Sequence, residues 1–299
     1  MAALPSVAAA QSAGIPIRVA CTASDSYAGA LYALDAGFFD RAGLAADVQV
    51  LASGAAITAA VAAKAVDVGI SNAVPFATAV QHGVEFRYFC GGGLVNLDEF
   101  GMCVAPASPI TSWKDLENKT VAVSSLNDIA VIGLRTLVDQ EGGDSRKVRL
   151  VEMPFSQMAG AIARGTVDAG PIAEPALSVA RRQGTVRVLK PAIFSPFGPH
   201  FMVGGWFALD DWIEANRDTA RRFAMAIYGA AAWANTHSAE SSTILSKYSK
   251  IDIATVEAMS RAPLATSLSP DMVQPVLDLA YKYKVVDRPM KAVDLIVKV

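Results

Sequence analysis

The chain is poor in the residues from which metal sites and disulfide frameworks are built. It has three cysteines and three histidines in 299 residues. Cys21, Cys90, Cys103, His82, His200 and His237 are widely spaced, whereas a metal site needs a denser cluster of Cys, His or carboxylates. Neither a metal nor a cofactor is expected. An odd cysteine count leaves one thiol unpaired, and all three sit in apolar, strand-like runs where a thiol is ordinarily a small buried hydrophobe. Charge of one sign is also lacking: 26 Lys and Arg against 28 Asp and Glu give a net charge of −2, which offers no electrostatic footprint for nucleic acid. No apolar run reaches the roughly 18–20 residues of a membrane span, so a soluble mature chain is expected. No nucleophile elbow with a Ser-His-Asp order occurs, and no Gly-rich phosphate loop precedes a lysine.

What is present is an alanine-rich composition with 53% hydrophobic residues, long enough for two lobes, each with its own core. One stretch occurs twice. Residues 57–72 read ITAAVAAKAVDVGISN and residues 158–174 read MAGAIARGTVDAGPIAE. Aligning Asp67 with Asp168 pairs Val61 with Ile162, Val66 with Val167 and Gly69 with Gly170. Each copy runs from a small-residue helix through a turn into a strand that starts at Val-Asp-x-Gly. A period of roughly one hundred residues is too long for a solenoid. It implies two similar α/β lobes whose post-strand loops face each other across a cleft. Residues 1–14 are small and uncharged, and Ser6-Val7-Ala8 has the character of a signal-peptidase site. They are expected to be the remnant of a trimmed export signal, or else a disordered terminus.

Read in order, strands are expected at 15–21, 46–51, 66–70 and 85–90, with helices from Ala28 to about Gly37, over 55–64 and over 74–82. This is a β-α-β-α-β unit with parallel strands. Asp25 or Ser26 is the expected cap of the first helix. Gly91-Gly92-Gly93 is either a hinge or a bulge. A second lobe spans 93–202, with strands at 100–105, 120–123, 148–152 and 186–190. The first lobe takes residues 15–92 and 203–299. From Asp210 the pattern is helical, beginning with one long helix whose apolar positions Phe223, Ile227, Ala230 and Ala234 recur at helical spacing.

In open α/β sheets ligands bind beyond the carboxyl ends of the strands. That rule selects the loops holding Ser24, Tyr27, Ser53, Gly54, Ser71 and Asn72 from the first lobe. From the second it selects Ser125, Asn127, Phe155 and Glu174. His200 and Trp206 in the return segment are added as residues within reach of the cleft. Ser53, Ser125 and Asn127 sit at helix starts, where they either cap the helix, worth about 1 kcal/mol each, or help to hold an anionic group. Glu174 either neighbours a helix start at Pro175 or accepts from an amine or ring N–H. No Arg or Lys falls in these loops, and Arg18 and Arg87, within strands, are left facing either the cleft or solvent.

Several short motifs carry a family likeness: Gly29-x-Leu-Tyr-x-Ala33-x-Asp-x-Gly37-Phe38-Phe39 with Gly43-Leu44, Val66-Asp67-Val68-Gly69, Trp113-x-Asp115-Leu116-x-x-Lys119 and Val167-Asp168-Ala169-Gly170. In this order and spacing the chain resembles the periplasmic solute-binding proteins of the nitrate, sulfonate and taurine type, related to the NMT1/THI5-like proteins. The resemblance implies a type II periplasmic-binding-protein fold, with two α/β lobes around a cleft and a helical C-terminal tail. It implies a monomer in the periplasm, closing on a small polar organic solute (a sulfonate, carboxylate or aminopyrimidine) that an ABC transporter permease imports. Fungal pyrimidine synthases of the same fold place a cofactor-bearing lysine after the first Asp-x-Gly strand and a cysteine-rich iron segment before the return strand. Here those places read Gly69-Ile70-Ser71-Asn72 and Ser195-Pro196-Phe197-Gly198-Pro199-His200-Phe201, without lysine or cysteine. The alternative reading is an enzyme on this fold, acting on a heterocycle or carboxylic acid.

Overall fold

The computed structural model describes residues 14–299; the segment read as an export-signal remnant lies outside the described residues except for Gly14. Ten strands form two five-stranded sheets. In the first, β1 (Ile15–Cys21), β2 (Leu44–Val50), β3 (Val68–Ser71), β4 (Phe86–Leu94) and β10 (Met202–Leu209) lie in the order β2-β1-β3-β10-β4. In the second, β5 (Phe100–Val104), β6 (Thr120–Val123), β7 (Arg149–Glu152), β8 (Ala169–Ala173) and β9 (Arg187–Val188) lie in the order β7-β6-β8-β5-β9. β1 runs parallel to β2 and β3, and β6 runs parallel to β7 and β8. One antiparallel strand, β10 or β5, follows β3 or β8 in its sheet. The chain passes between the sheets twice, after β4 and after β9.

The sequence repeat has a direct structural counterpart. The backbone N–H of Asp67 donates to Arg18 O at 2.9 Å and that of Asp168 donates to Thr120 O at 2.8 Å. In return, each carboxylate accepts from the backbone N–H of the same partner, Arg18 or Thr120, at 2.8 Å. The Val-Asp-x-Gly motif is therefore a clasp that sets where the third strand of each sheet meets the first. Gly69 is confined as well: a Cβ there would lie 2.4 Å from Ile57, so the helix that carries Ile57 packs directly on the strand.

Helices α1 (Gly29–Asp35), α2 (Phe38–Arg41), α3 (Gly54–Ala62) and α4 (Ala73–Gln81) cover the first sheet, and α5 (Ile129–Gln140), α6 (Phe155–Ala163) and α7 (Ala176–Arg182) the second. The core of the first sheet centres on Phe76, stacked on Tyr88 at 4.0 Å and met edge-on by Phe207 at 5.5 Å. The long tail helix is interrupted at Asn216 into α8 (Asp210–Ala215) and α9 (Arg217–Ala234), with Asn216 outside the helical region at φ −125° and ψ 36°. Phe223, Ile227, Ala230 and Ala234 are buried. α10 (Ser238–Ser249) packs on α1, α11 (Ile253–Ala258) on α7, and α12 (Gln274–Lys282) on both α4 and α5.

Two local expectations are corrected, and one pair of alternatives is decided. Asp25 and Ser26 do not cap the first helix, whose start has no side-chain cap; Asp25 is drawn instead to Arg261 of the tail, 2.9 Å away. Of the two readings of Gly91-Gly92-Gly93, the bulge is the one found: β4 runs through them to Leu94 with shifts of register against β10. The strand expected at 186–190 shortens to the two residues of β9.

Candidate functional site

The carboxyl ends of β1, β2, β3, β6, β7 and β8 converge on one region, and two adjoining cavities lie there. The inner one, about 40 Å³, is bounded by Ser24, Tyr27, Gly54 and Asn72 from the first sheet's loops and by Phe100, Asp128, Phe155 and Phe194 from the other side. The outer one, about 310 Å³, continues past Thr22, Ser24 and Phe155 to Glu174 and is closed by Tyr248, Ser249 and Ile251 of the tail. A larger cavity of about 520 Å³ lies elsewhere, against Phe89, Tyr228 and the C-terminal segment. It meets no carboxyl end of a parallel strand and no residue of the second sheet, which sets it apart from a cleft site.

The walls are held by helix starts. The Ser53 hydroxyl accepts from the Ala56 N–H at 3.2 Å, and the Asn72 side-chain oxygen accepts from the Val74 N–H at 3.0 Å. Asp128 accepts from the Ala130 N–H at 2.8 Å, and its other oxygen accepts from the Ser124 hydroxyl at 3.2 Å and the Asn72 amide at 3.5 Å. The last bond joins the two sheets across the cleft. Burial pushes the Asp128 carboxyl above the usual carboxylate range, against the opposing effect of those three donors. Burial likewise raises Tyr27, with the Asp128 charge adding to it; its hydroxyl donates to Val203 O at 3.3 Å.

Glu174 directly follows β8, buried, with Pro175 between it and α7. Its carboxylate accepts from the N–H and the hydroxyl of Ser178, both at 2.9 Å, and burial raises its pKa. The two sequence readings of Glu174, helix-start neighbour and cleft carboxylate, are thus combined: four lone-pair directions on a carboxylate leave room for a further donor. Among the described residues, Asp128 and Glu174 are the only charged side chains lining either cavity.

Of the residues selected from sequence, Ser24, Tyr27, Gly54, Asn72, Phe155 and Glu174 line the cavities. The others do not. Ser53 is spent on its cap. Ser71 is fully buried and its hydroxyl donates to Gly54 O at 3.0 Å. Ser125 accepts from the Asn127 N–H at 3.2 Å, Asn127 is exposed, and the α5 cap is Asp128 rather than either of them. His200 is exposed. Trp206 is wholly buried in the first core, edge-on to Phe223 at 5.3 Å. Arg18, in the middle of β1, pairs with Asp67, and Arg87, near the start of β4, pairs with Asp210; neither lines the cavities. Reading the sequence missed Phe100, Phe194 and the tail residues; Asp128, directly before an apolar helical run, carried an N-cap signal that would have found it.

Behind this wall lies Glu99, fully buried between the sheets. Its carboxylate accepts from the Ser26 N–H at 3.0 Å, while its backbone carbonyl accepts from the Glu174 N–H at 2.9 Å. Burial, reinforced by the Asp25 and Glu174 charges, pushes its pKa up to about 8. Among the described residues no group of three or more His, Cys, Asp or Glu is placed to hold a metal ion. The three cysteines are free and buried, and burial raises the Cys21 and Cys103 thiols to about 12.

Two sheets of this topology with a site at their facing strand ends define a type II periplasmic-binding fold. Residues 24–241 match the profile described as "NMT1/THI5 like", and the chain belongs to that family. No curated protein sequence is similar enough to count as a match. Among solved structures, the alkanesulfonate-binding protein SsuA from Xanthomonas axonopodis pv. citri, bound to MOPS, aligns with a TM-score of 0.81 at 18% identity over 97% of this chain and 100% of that one. The periplasmic nitrate-binding protein NrtA from Synechocystis PCC 6803 aligns with a TM-score of 0.73 at 14% identity over 91% and 82%. The desulfurization enzyme DSZB aligns with a TM-score of 0.69 at 15% identity over 95% and 96%. The fold is therefore shared by binding proteins and by an enzyme. No helix among the described residues is long and apolar enough to cross a membrane.

Proposed function

We propose that the chain is the periplasmic solute-binding component of an ABC importer, closing two lobes on a small organic solute that presents N–H donors. The aminopyrimidine type fits better than the sulfonate or carboxylate type. One observation carries this reading: among the described residues, the cavities at the strand ends are lined by two carboxylates and no Arg or Lys. An anionic head would meet Asp128 or Glu174 with no compensating cation, whereas an amine or protonated ring gains charge-assisted hydrogen bonds. Phe100, Phe155 and Phe194 supply the flat apolar walls that suit a heterocycle. The partner is a membrane permease, and a monomer suffices. The rival reading, an enzyme acting on a heterocycle or carboxylic acid, draws support from the fold shared with DSZB.

A thermal-shift panel tests this after unfolding and refolding to strip carried-over ligand. Ligand at a thousand times its Kd stabilises by about 4 kcal/mol, at roughly 2–4 °C per kcal/mol for a chain of this size class. An aminopyrimidine or small amine is expected to raise Tm by several degrees and to be recovered unchanged. A shift with sulfonates, nitrate or aromatic carboxylates alone would overturn the ligand class, and conversion of a bound compound would overturn the transport reading.

A further inference from the structure

A small cavity of about 10 Å³ lies inside the first lobe, behind the cleft loop, bounded by Ser26, Gly29, Gly92, Trp206, Ile227 and Leu264 among others. Two side chains on its wall, Ser26 and Trp206, are each 0% exposed. Neither the Ser26 hydroxyl nor the Trp206 indole nitrogen has a hydrogen-bond partner in the protein. They come from segments far apart in sequence, the loop after β1 and the return strand β10. A buried polar group left unpaired costs free energy comparable to a lost hydrogen bond, and two on one cavity wall call for a shared partner.

We propose that this cavity is a hydration site holding one internal water molecule, which bridges the Ser26 hydroxyl and the Trp206 indole N–H. The volume is right, since a cavity of about 10–15 Å³ on this measure takes a single water. The chemistry selects water over other small occupants. The indole N–H only donates, so the occupant must accept; a cation would be repelled by that N–H. A bound anion would lie with no basic side chain on the wall. Apart from Gly29, Gly91 and Gly92, the remaining wall is Ile70, Ile227, Ala231, Leu264 and Ala265, all apolar, so Ser26 and Trp206 are the two polar side chains on it, and two partners are the fewest a buried water ordinarily has. A Cβ on Gly92 would fall 2.2 Å from Gly204 O and 2.8 Å from Ile70 of the wall, so β4 and β10 approach this closely beside the cavity only with glycine there.

The water ties the cleft loop to the sheet beneath it. Ser26 is flanked by Asp25, held by Arg261, and by Tyr27, which lines the inner cavity. Ser26 N–H already reaches Glu99, so the bridge through its hydroxyl gives the loop a second anchor on β10. The inference is independent of which solute is bound.

A crystal structure at a resolution that orders water, of the unliganded protein and of Ser26→Ala, tests it. Density within about 2.7–3.2 Å of both atoms is expected in the first and lost or displaced in the second. In solution, the Trp206 indole N–H resonance, assigned by its disappearance in Trp206→Phe, should show a cross-peak to a long-lived water and should shift in Ser26→Ala. Ser26→Ala changes little volume and keeps the backbone bond to Glu99, so folding is retained. An empty cavity, with the Ser26 hydroxyl turned to Glu99 Oε2 instead, would overturn the proposal. So would an indole resonance unmoved by Ser26→Ala.

Discussion

Glu99 shows how much one residue is asked to carry. It is enclosed by Ser26 on one sheet and Glu174 on the other, with Asp25 close enough to raise its pKa further. Asp25 faces Arg261 and Tyr32, and Glu174 faces Ser178 and, at longer range, Arg181. A folded-state value of about 8 against roughly 4.3 unfolded means that the folded chain retains a proton that the unfolded chain has released. The contribution of Glu99 to stability is therefore fully present below pH of about 4.3 and is lost as pH rises toward 8. Glu99→Gln keeps the acceptor for the Ser26 N–H and cannot ionise. Its Tm relative to the parent is expected to rise steadily from pH 5 to pH 8, measured by calorimetry at constant ionic strength. A Tm difference that stays constant over that range would show that Glu99 is ionised in the folded protein.

At the scale of elements, the close approach of β4 to its neighbours governs the shape of the cleft loop. A Cβ on Gly93 would lie 2.2 Å from the Ser26 carbonyl oxygen, a backbone atom that moves only if the whole loop moves. Gly93→Ala is expected to lower Tm and to weaken solute binding together. Gly142→Ala is the control, because no heavy atom stands near that position, although its φ of +81° carries the cost of a left-handed residue, about 1 kcal/mol. Retained affinity in Gly93→Ala, measured by titration calorimetry with the solute found in the thermal-shift panel, would mean that the loop is not set by this contact. The repeat was legible at this scale, and the glycine run only as a choice between two readings. Val-Asp-x-Gly is a local motif whose Asp closes on the neighbouring strand, and hydrophobic period and turn signals surround it. Three glycines in a row read equally as a hinge or a bulge from sequence, because the backbones they accommodate, at Gly204, Ser26 and Ser267, come from distant parts of the chain.

For the molecule as a whole, few direct bonds among the described residues join the two sheets at the cleft: Asn72 to Asp128, and the Ser26 N–H to Glu99. The tail adds contacts from outside, with Arg182 of α7 reaching Thr255 and Asp252, and α12 resting on both α4 and α5. A molecule joined in this way is expected to close further when a solute bridges Asp128 and Glu174. Small-angle scattering with and without the solute should show a smaller radius of gyration in its presence. An unchanged radius together with tight binding would mean a preformed pocket that binds without lobe motion.

What the sequence determined by itself is what depends on local pattern. Strand and helix periods, the parallel β-α-β-α-β order, the repeat and the placing of loops at strand ends all follow from neighbours within a few residues. Those signals located Ser24, Tyr27, Gly54, Asn72, Phe155 and Glu174 along the cleft-facing loops. The tertiary structure decided the rest. It buried Trp206 against Phe223, turned Ser71 to Gly54, left His200 in solvent, and brought Tyr248 and Ile251 of the tail over the cavity mouth. It also enclosed Glu99 and paired Asp25 with Arg261 over more than two hundred residues of chain. The physical reason is the same in each case. Which way a polar side chain faces, and whether its charge is paired, is set by groups distant in sequence that only folding brings within reach.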